Sequence, residues 1–159
     1  MVGQGVLREC LRSDEVESVL SIGRRASRQQ HPKLGEIVHH DFADFFEIEG
    51  DLSGYDACFF CLGVSSLGMK ESDYRWVTYE FALAAARTLA RLNPNMTFIY
   101  VSGAGTDSTG RGSTMWNSPT WYGKWWTRIA GRSGSYEGSP VRSHRDGGAR
   151  CLAGMPAQR

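Results

Sequence analysis

The chain has 159 residues, 41% of them hydrophobic and 22% charged, with a formal net charge of +1. That length holds one domain with a real core, and the composition excludes a collagenous, disulfide-dense or wholly disordered chain. There is no apolar run of membrane-spanning length, and Met1-Val-Gly-Gln-Gly5 has neither a basic stretch nor a long apolar one behind it. A soluble chain in the cytoplasm is the expectation.

The averages conceal a division. Up to Trp116 there are 11 Lys and Arg against 15 Asp and Glu, and from Asn117 onward 7 against 2. Val, Ile and Leu number 22 in the first part and 3 in the last 43 residues. A segment that poor in branched aliphatics buries too little apolar area to offset its ordering entropy. Residues 1–116 therefore read as the folded part, and 117–159 as an irregular, basic tail without ordered structure.

Taken in order, Val2, Val6, Leu7, Cys10 and Leu11 have the spacing of one helical face, closed at Ser13-Asp14. Val16 to Ile22 reads as a short buried strand stopped by Gly23-Arg24-Arg25, and Glu36 to His40 as a second strand ending at Asp41. Asp56 to Leu62 is a third, bounded by Gly54 and Gly63. Ser72 and Asp73 offer caps for a long helix through Arg91, with Tyr74, Val77, Phe81, Ala85, Leu89 and Leu92 along one stripe. Asn93-Pro94-Asn95 ends it, and Thr97 to Ser102 is a fourth strand running into Gly103-Ala-Gly105. Strands alternating with crossovers imply an α/β fold with a parallel sheet.

In such sheets ligands sit beyond the carboxyl ends of the strands. Gly23 to Arg25, Asp41, Leu62 to Ser66 and Ser102 to Gly105 fall there. Arg24 and Arg25 stand where a dinucleotide-binding fold places an acidic residue for a ribose 2′-hydroxyl or an Arg for a 2′-phosphate. Two guanidiniums fork onto phosphate oxygens, which favours the phosphorylated cofactor; a solvated Arg pair is the bland alternative. Asp41-Phe42 can meet adenine or simply make a turn. Leu62-Gly63 lets backbone approach a flat ligand or marks a turn glycine. Gly3 and Gly5 open a helix where a phosphate can lie, although one G-x-G carries little weight by itself.

In order, Gly3-Gln-Gly5-Val-Leu, Ser21-Ile-Gly-Arg24-Arg25, His40-Asp41-Phe42, Cys58-Phe-Phe-Cys-Leu-Gly-Val-Ser-Ser66 and Tyr100-Val-Ser102-Gly-Ala-Gly resemble the atypical short-chain dehydrogenase/reductases. More narrowly they are similar to the NAD(P)-binding epimerase/dehydratase-like (NmrA-like) proteins related to an oxidoreductase-like tumour-suppressor cofactor. The resemblance covers Met1 to about Trp116. It implies a Rossmann-type doubly wound parallel sheet binding NADP(H) in preference to NAD(H), with oxidoreductase or epimerase-like chemistry on a small-molecule substrate. It assigns Gly3 to the pyrophosphate turn, Arg24 and Arg25 to the 2′-phosphate, and Asp41 with Phe42 to adenine. Leu62 and Gly63 fall on the adenosine side, and Ser102 near the nicotinamide as the catalytic residue.

The chain departs from that pattern twice. The family's G-x-x-G-x-x-G follows a first strand, and Gly3 matches its last glycine, so the sheet is expected to be incomplete. The missing strand belongs between those carrying Arg24 and Cys58. The family's Tyr-x-x-x-Lys, whose Lys lowers the phenol pKa for proton transfer, is also not found. Trp116 takes the aromatic place with Thr120 four residues on, and Tyr122-Gly-Lys124 has the wrong spacing. Catalysis is therefore expected to be impaired. A non-enzymatic NADPH-binding or protein-interaction module is the alternative, as is a gene fragment with an out-of-frame tail and no function of its own.

The remaining chemistry is thin. Trp121, Trp125 and Trp126 beside Lys124 and Arg128 have the make-up of a nucleic-acid stacking surface, but pattern alone favours an aberrant tail and nucleic acid is not the expected partner. Cys58 and Cys61 lie in a strand with side chains facing opposite ways, so buried free thiols are expected rather than a metal or redox pair. Cys10 and Cys151 are expected as free thiols too. His39-His40 lacks a third ligand for zinc. The reading leaves room for a homo-oligomer and names no membrane partner.

Overall fold

The apolar stripe at the start sets the first element. In the computed structural model, which describes residues 2–63, 68–101 and 148–154, α1 spans Val2–Arg12 and buries Gly3, Leu7, Cys10 and Leu11. It ends where Ser13 N–H donates to the Glu9 carbonyl at 3.1 Å. The chain turns directly into β1 (Val16–Gly23), whose exposed Glu17 gives way to an unbroken buried run, Val19 to Gly23. A strand buried on both faces belongs inside a sheet. β2 (Leu34–Val38) has no fully buried residue, with only Leu34 and Ile37 half-buried, and lies at the edge. It starts two residues before the expected Glu36, because Leu34 N–H finds the His31 carbonyl at 2.9 Å and pairing with Val19 begins there.

A 3-10 helix at Phe46–Leu52 leads to β3 (Ala57–Phe60). The expected long helix is present in three parts: α2 (Glu71–Arg75), a π-helical turn at Trp76–Glu80, and α3 (Phe81–Leu92). Phe81, Ala85 and Leu89 of the expected stripe are buried, with Ala82, Leu83 and Ala86 beside them. β4 (Thr97–Tyr100) follows.

The fifth strand corrects the expectation for the tail at one place. Residues 149–154 are not irregular: they form β5 (Ala149–Gly154), the middle strand of a parallel sheet ordered β2-β1-β5-β3-β4. β5 pairs with β1 on one side and β3 on the other, so that Cys151 lies level with Val19 and Ala57. It occupies the position between the Arg24 and Cys58 strands at which a gap was expected. Residues 148–154 accordingly belong to the same compact unit as the other described residues.

Alternation along β5 divides the core. Ala149, Cys151 and Ala153 join Leu7, Cys10, Leu11, Val16, Val19 and Ala57 in the cluster beneath α1. Leu152, Cys58 and Phe60 are buried outside that cluster. The right-handed rule for a β3-α3-β4 crossover puts α3 on that second face. Leu7, Val19 and Leu152 are almost wholly buried, each contributing about 1.5–3 kcal/mol of apolar burial. Among the described residues, no helix is long and apolar enough to cross a membrane.

Candidate functional site

Because every pairing is parallel, all five strands end on one edge of the sheet. Across that rim stand His39 to Asp41 after β2, Arg24 and Arg25 after β1, Gly154 at the end of β5, Cys61 to Gly63 after β3, and Val101 after β4. The short link from α1 to β1 means that α1 runs from this edge down to the strand starts, so its first turn lies at this edge. Chain connections run outward from the middle in both directions: β1 then β2 on one side, β3 then β4 on the other. The strand order thus reverses at β5, and such a reversal leaves a crevice beyond the strand ends.

Arg24 is half-buried and Arg25 exposed. Among the described residues neither takes part in a salt bridge. The chain beyond them is held to the edge strand by Ser27 N–H, which donates to Glu36 Oε1 at 2.7 Å.

Asp41 is exposed, and its Oδ1 accepts from Ala43 N–H at 2.9 Å, the turn-forming arrangement. Phe42 is only 1% exposed, with its ring centroid 6.0 Å from Phe45 and 6.2 Å from Phe81. A side chain so placed is a core residue, and Phe42 can meet a ligand only through its backbone. The residue that shapes this loop is His39, which the sequence presented only as an unsupported metal ligand. Its Nε2 lies 2.6 Å from the Asp41 carbonyl and 2.7 Å from that of Asp44, so a proton there is shared between two acceptors. Its ring stacks on Phe45 at 5.4 Å and meets the edge of Phe42 at 5.7 Å.

Leu62 is buried and Gly63 exposed. A Cβ built on Gly63 meets nothing within 4 Å among the described residues, so none of them demands a glycine there. Gly3 is buried in the first turn of α1, where the leading N–H groups have no helical acceptor. Ser102, the expected catalytic residue, lies outside the described residues, as do Trp116, Thr120, Tyr122 and Lys124.

The structure therefore brings Gly3, Arg24, Arg25, Asp41, Leu62 and Gly63 to one edge and withdraws the Phe42 side chain. It adds Gly154, whose place no local signal announces: Ala149-Arg-Cys-Leu-Ala-Gly154 is too short and mixed to stand out as a strand. Two guanidiniums, leading helix N–H groups and a bare glycine on one rim can receive an anion beside a flat group. Among the described residues no three His, Cys, Asp or Glu side chains are grouped to hold a metal ion. Compared with known proteins, the chain matches no family model and no characterised relative.

Proposed function

We propose that the chain is an NAD(P)(H)-binding protein of the short-chain dehydrogenase/reductase type that takes NADP(H) ahead of NAD(H) on this rim. The observation that carries the reading is the reversal of strand order at β5, flanked by Arg24 and Arg25 on one side and Leu62-Gly63 on the other. Counted from β5 as first strand, the order is that of a dinucleotide-binding sheet. Gly154 then ends the first strand, as the opening glycine of the phosphate motif does, and Gly3 lies in α1, which precedes β1 in the chain and packs on β1 and β5.

The residues fit the group. Among the described residues neither guanidinium is in a salt bridge, which suits a 2′-phosphate, and Gly63 leaves room for a flat ring system. A bound nicotinamide would supply or accept hydride. The reading of impaired oxidoreductase or epimerase-like catalysis rests on the sequence at Trp116 and Thr120.

Titration of the full chain with NADPH and NADH tests the proposal. Arg24→Ala, and Arg25→Ala to a smaller degree because it is more exposed, are expected to weaken NADPH about 10-fold or more, with NADH changed less than about 3-fold. A folded chain that binds neither nucleotide would refute it.

A further inference from the structure

Among the described residues the buried polar side chains are Ser21, His39 and Asn93, and of these His39 alone lies just beyond a strand end. Its neighbours Val38 and His40 are exposed. The His39 backbone N–H donates to the Gly23 carbonyl at 2.9 Å, directly before Arg24. Its ring serves the following turn, with Nε2 2.6 Å from the Asp41 carbonyl and 2.7 Å from that of Asp44. Both partners are carbonyl oxygens, which only accept, so Nε2 carries the proton. One residue thus joins the end of β1, where the guanidiniums follow, to the turn that carries Asp41.

We propose that His39 is a positioning residue that sets the base specificity of the rim, by holding the Asp41 carboxylate where it accepts from the exocyclic amino group of adenine. The inference rests on the nucleotide-binding reading and adds to it the residue that makes Asp41 selective.

Bonds inside the turn are local and leave its placement open. Asp44 N–H reaches the Asp41 carbonyl at 3.3 Å, and Ala43 N–H donates to Asp41 Oδ1 at 2.9 Å. With Oδ1 so engaged, Oδ2 is the oxygen that can receive an amino group. The imidazole, in contrast, is wedged in the core. It stacks on Phe45 and meets the edge of Phe42, which packs in turn on Phe81 of α3. A proton shared from a fixed ring to two carbonyls therefore pins both ends of the 41–44 turn to the core.

Base selectivity follows from that placement. Adenine presents an amine where hypoxanthine presents an oxo group. The amine donates a charge-assisted hydrogen bond to a carboxylate, whereas the oxo oxygen is repelled by it. A carboxylate held against the base tells the two apart, and one free to turn into water does not.

The test titrates the full chain with NADPH and with its hypoxanthine counterpart. The unaltered chain is expected to bind the adenine form about 10-fold more tightly. His39→Phe keeps a stacked ring but removes the donor, and should bring the two affinities within about 2-fold of each other. His39→Gln returns amide N–H donors near the Nε2 position and should restore the preference. A general loosening of the fold would weaken both nucleotides together and leave their ratio unchanged, so the ratio separates positioning from packing. Nitrogen NMR of the unaltered, histidine-labelled chain decides the matter if the variants misfold: the His39 proton is expected on Nε2, and a proton on Nδ1 alone would overturn the proposal. Equal affinities in the unaltered chain, a full preference in His39→Phe, or a His39→Gln chain no better than His39→Phe would overturn it too, and each leaves the nucleotide-binding reading standing. Binding of neither nucleotide would remove both.

Discussion

The two edges of the sheet are built differently. At the edge where the strands begin, β5 is held on both sides. Ala149 N–H donates to the Glu15 carbonyl at 2.6 Å, Arg150 N–H to Asp56 Oδ2 at 2.9 Å, and Asp56 N–H back to the Arg150 carbonyl at 2.8 Å. The Arg150 guanidinium sits 4.8 Å above the Tyr55 ring. At the edge where the strands end, Arg25, His40 and Gly63 are exposed, and the hydrogen bonds of the Asp41 turn stay within a few residues. Among the described residues, the first edge fixes the central strand to both neighbours, whereas the second combines cross-strand links, such as His39 N–H to the Gly23 carbonyl at 2.9 Å, with exposed side chains. Position and exposure are thus supplied by opposite ends of the same strands, which is how a rigid scaffold presents a binding loop.

The strongest way to break the contrast is at Asn93. Its side chain caps the end of α3 and ties it to the 52–55 link that leads into β3. Oδ1 accepts from Gly54 N–H at 2.6 Å and Tyr55 N–H at 3.0 Å, while Nδ2 donates to the Leu52 carbonyl at 2.8 Å. Asn93→Ala strands two backbone donors and a carbonyl, and we expect a loss of about 2–4 kcal/mol in urea unfolding. A loss under about 1 kcal/mol would mean that this edge does not anchor the sheet. Asn93→Asp keeps the acceptor and should be milder.

A sharper comparison uses the two glycines that bracket β5. A Cβ on Gly148 would stand 2.8 Å from Glu17 N and 3.0 Å from the Glu15 carbonyl oxygen, both backbone atoms that yield only if the strand moves. On Gly154 the nearest atoms are at 3.8–3.9 Å, ordinary contact. Gly148→Ala should therefore cost about 1–3 kcal/mol. Gly154→Ala should stay within about 0.5 kcal/mol. Equal costs would show that the start of β5 is no tighter than its end.

The same contrast explains what could be read in the sequence. α1, β1, β3 and β4 are legible because each carries its own apolar period or run, and the turn after each gives away the rim positions of Arg24, Asp41 and Gly63. β5 is not legible, because Cys151 and Leu152 are buried by strands far away in sequence. Phe42 misleads for a related reason: its burial is decided by His39 and Phe45 nearby and by Phe81 from α3, while the residue itself follows a strand end. The 3-10 helix at Phe46–Leu52 has acidic residues at alternate positions, Glu47, Glu49 and Asp51, and no clear apolar face, so the burial of Leu52 is not announced locally. Local pattern reports elements that would bury themselves anywhere, and tertiary slots stay hidden.

The smallest expected effect on stability is the most informative for the rim. Gly63 has open space where its Cβ would go and no positive φ, so Gly63→Ala should leave stability unchanged or raise it by about 0.4–1 kcal/mol through the unfolded chain. Any loss of NADPH affinity in that variant then points to the ligand's own contact with residue 63, since no described residue is disturbed. A flat adenosine moiety against this backbone predicts weakening for NADPH and NADH alike. Arg24→Ala, by contrast, should weaken NADPH selectively. Unchanged affinity for both nucleotides in Gly63→Ala, with Arg24→Ala still selective, would keep the phosphate contact at β1 and move the adenosine away from the end of β3.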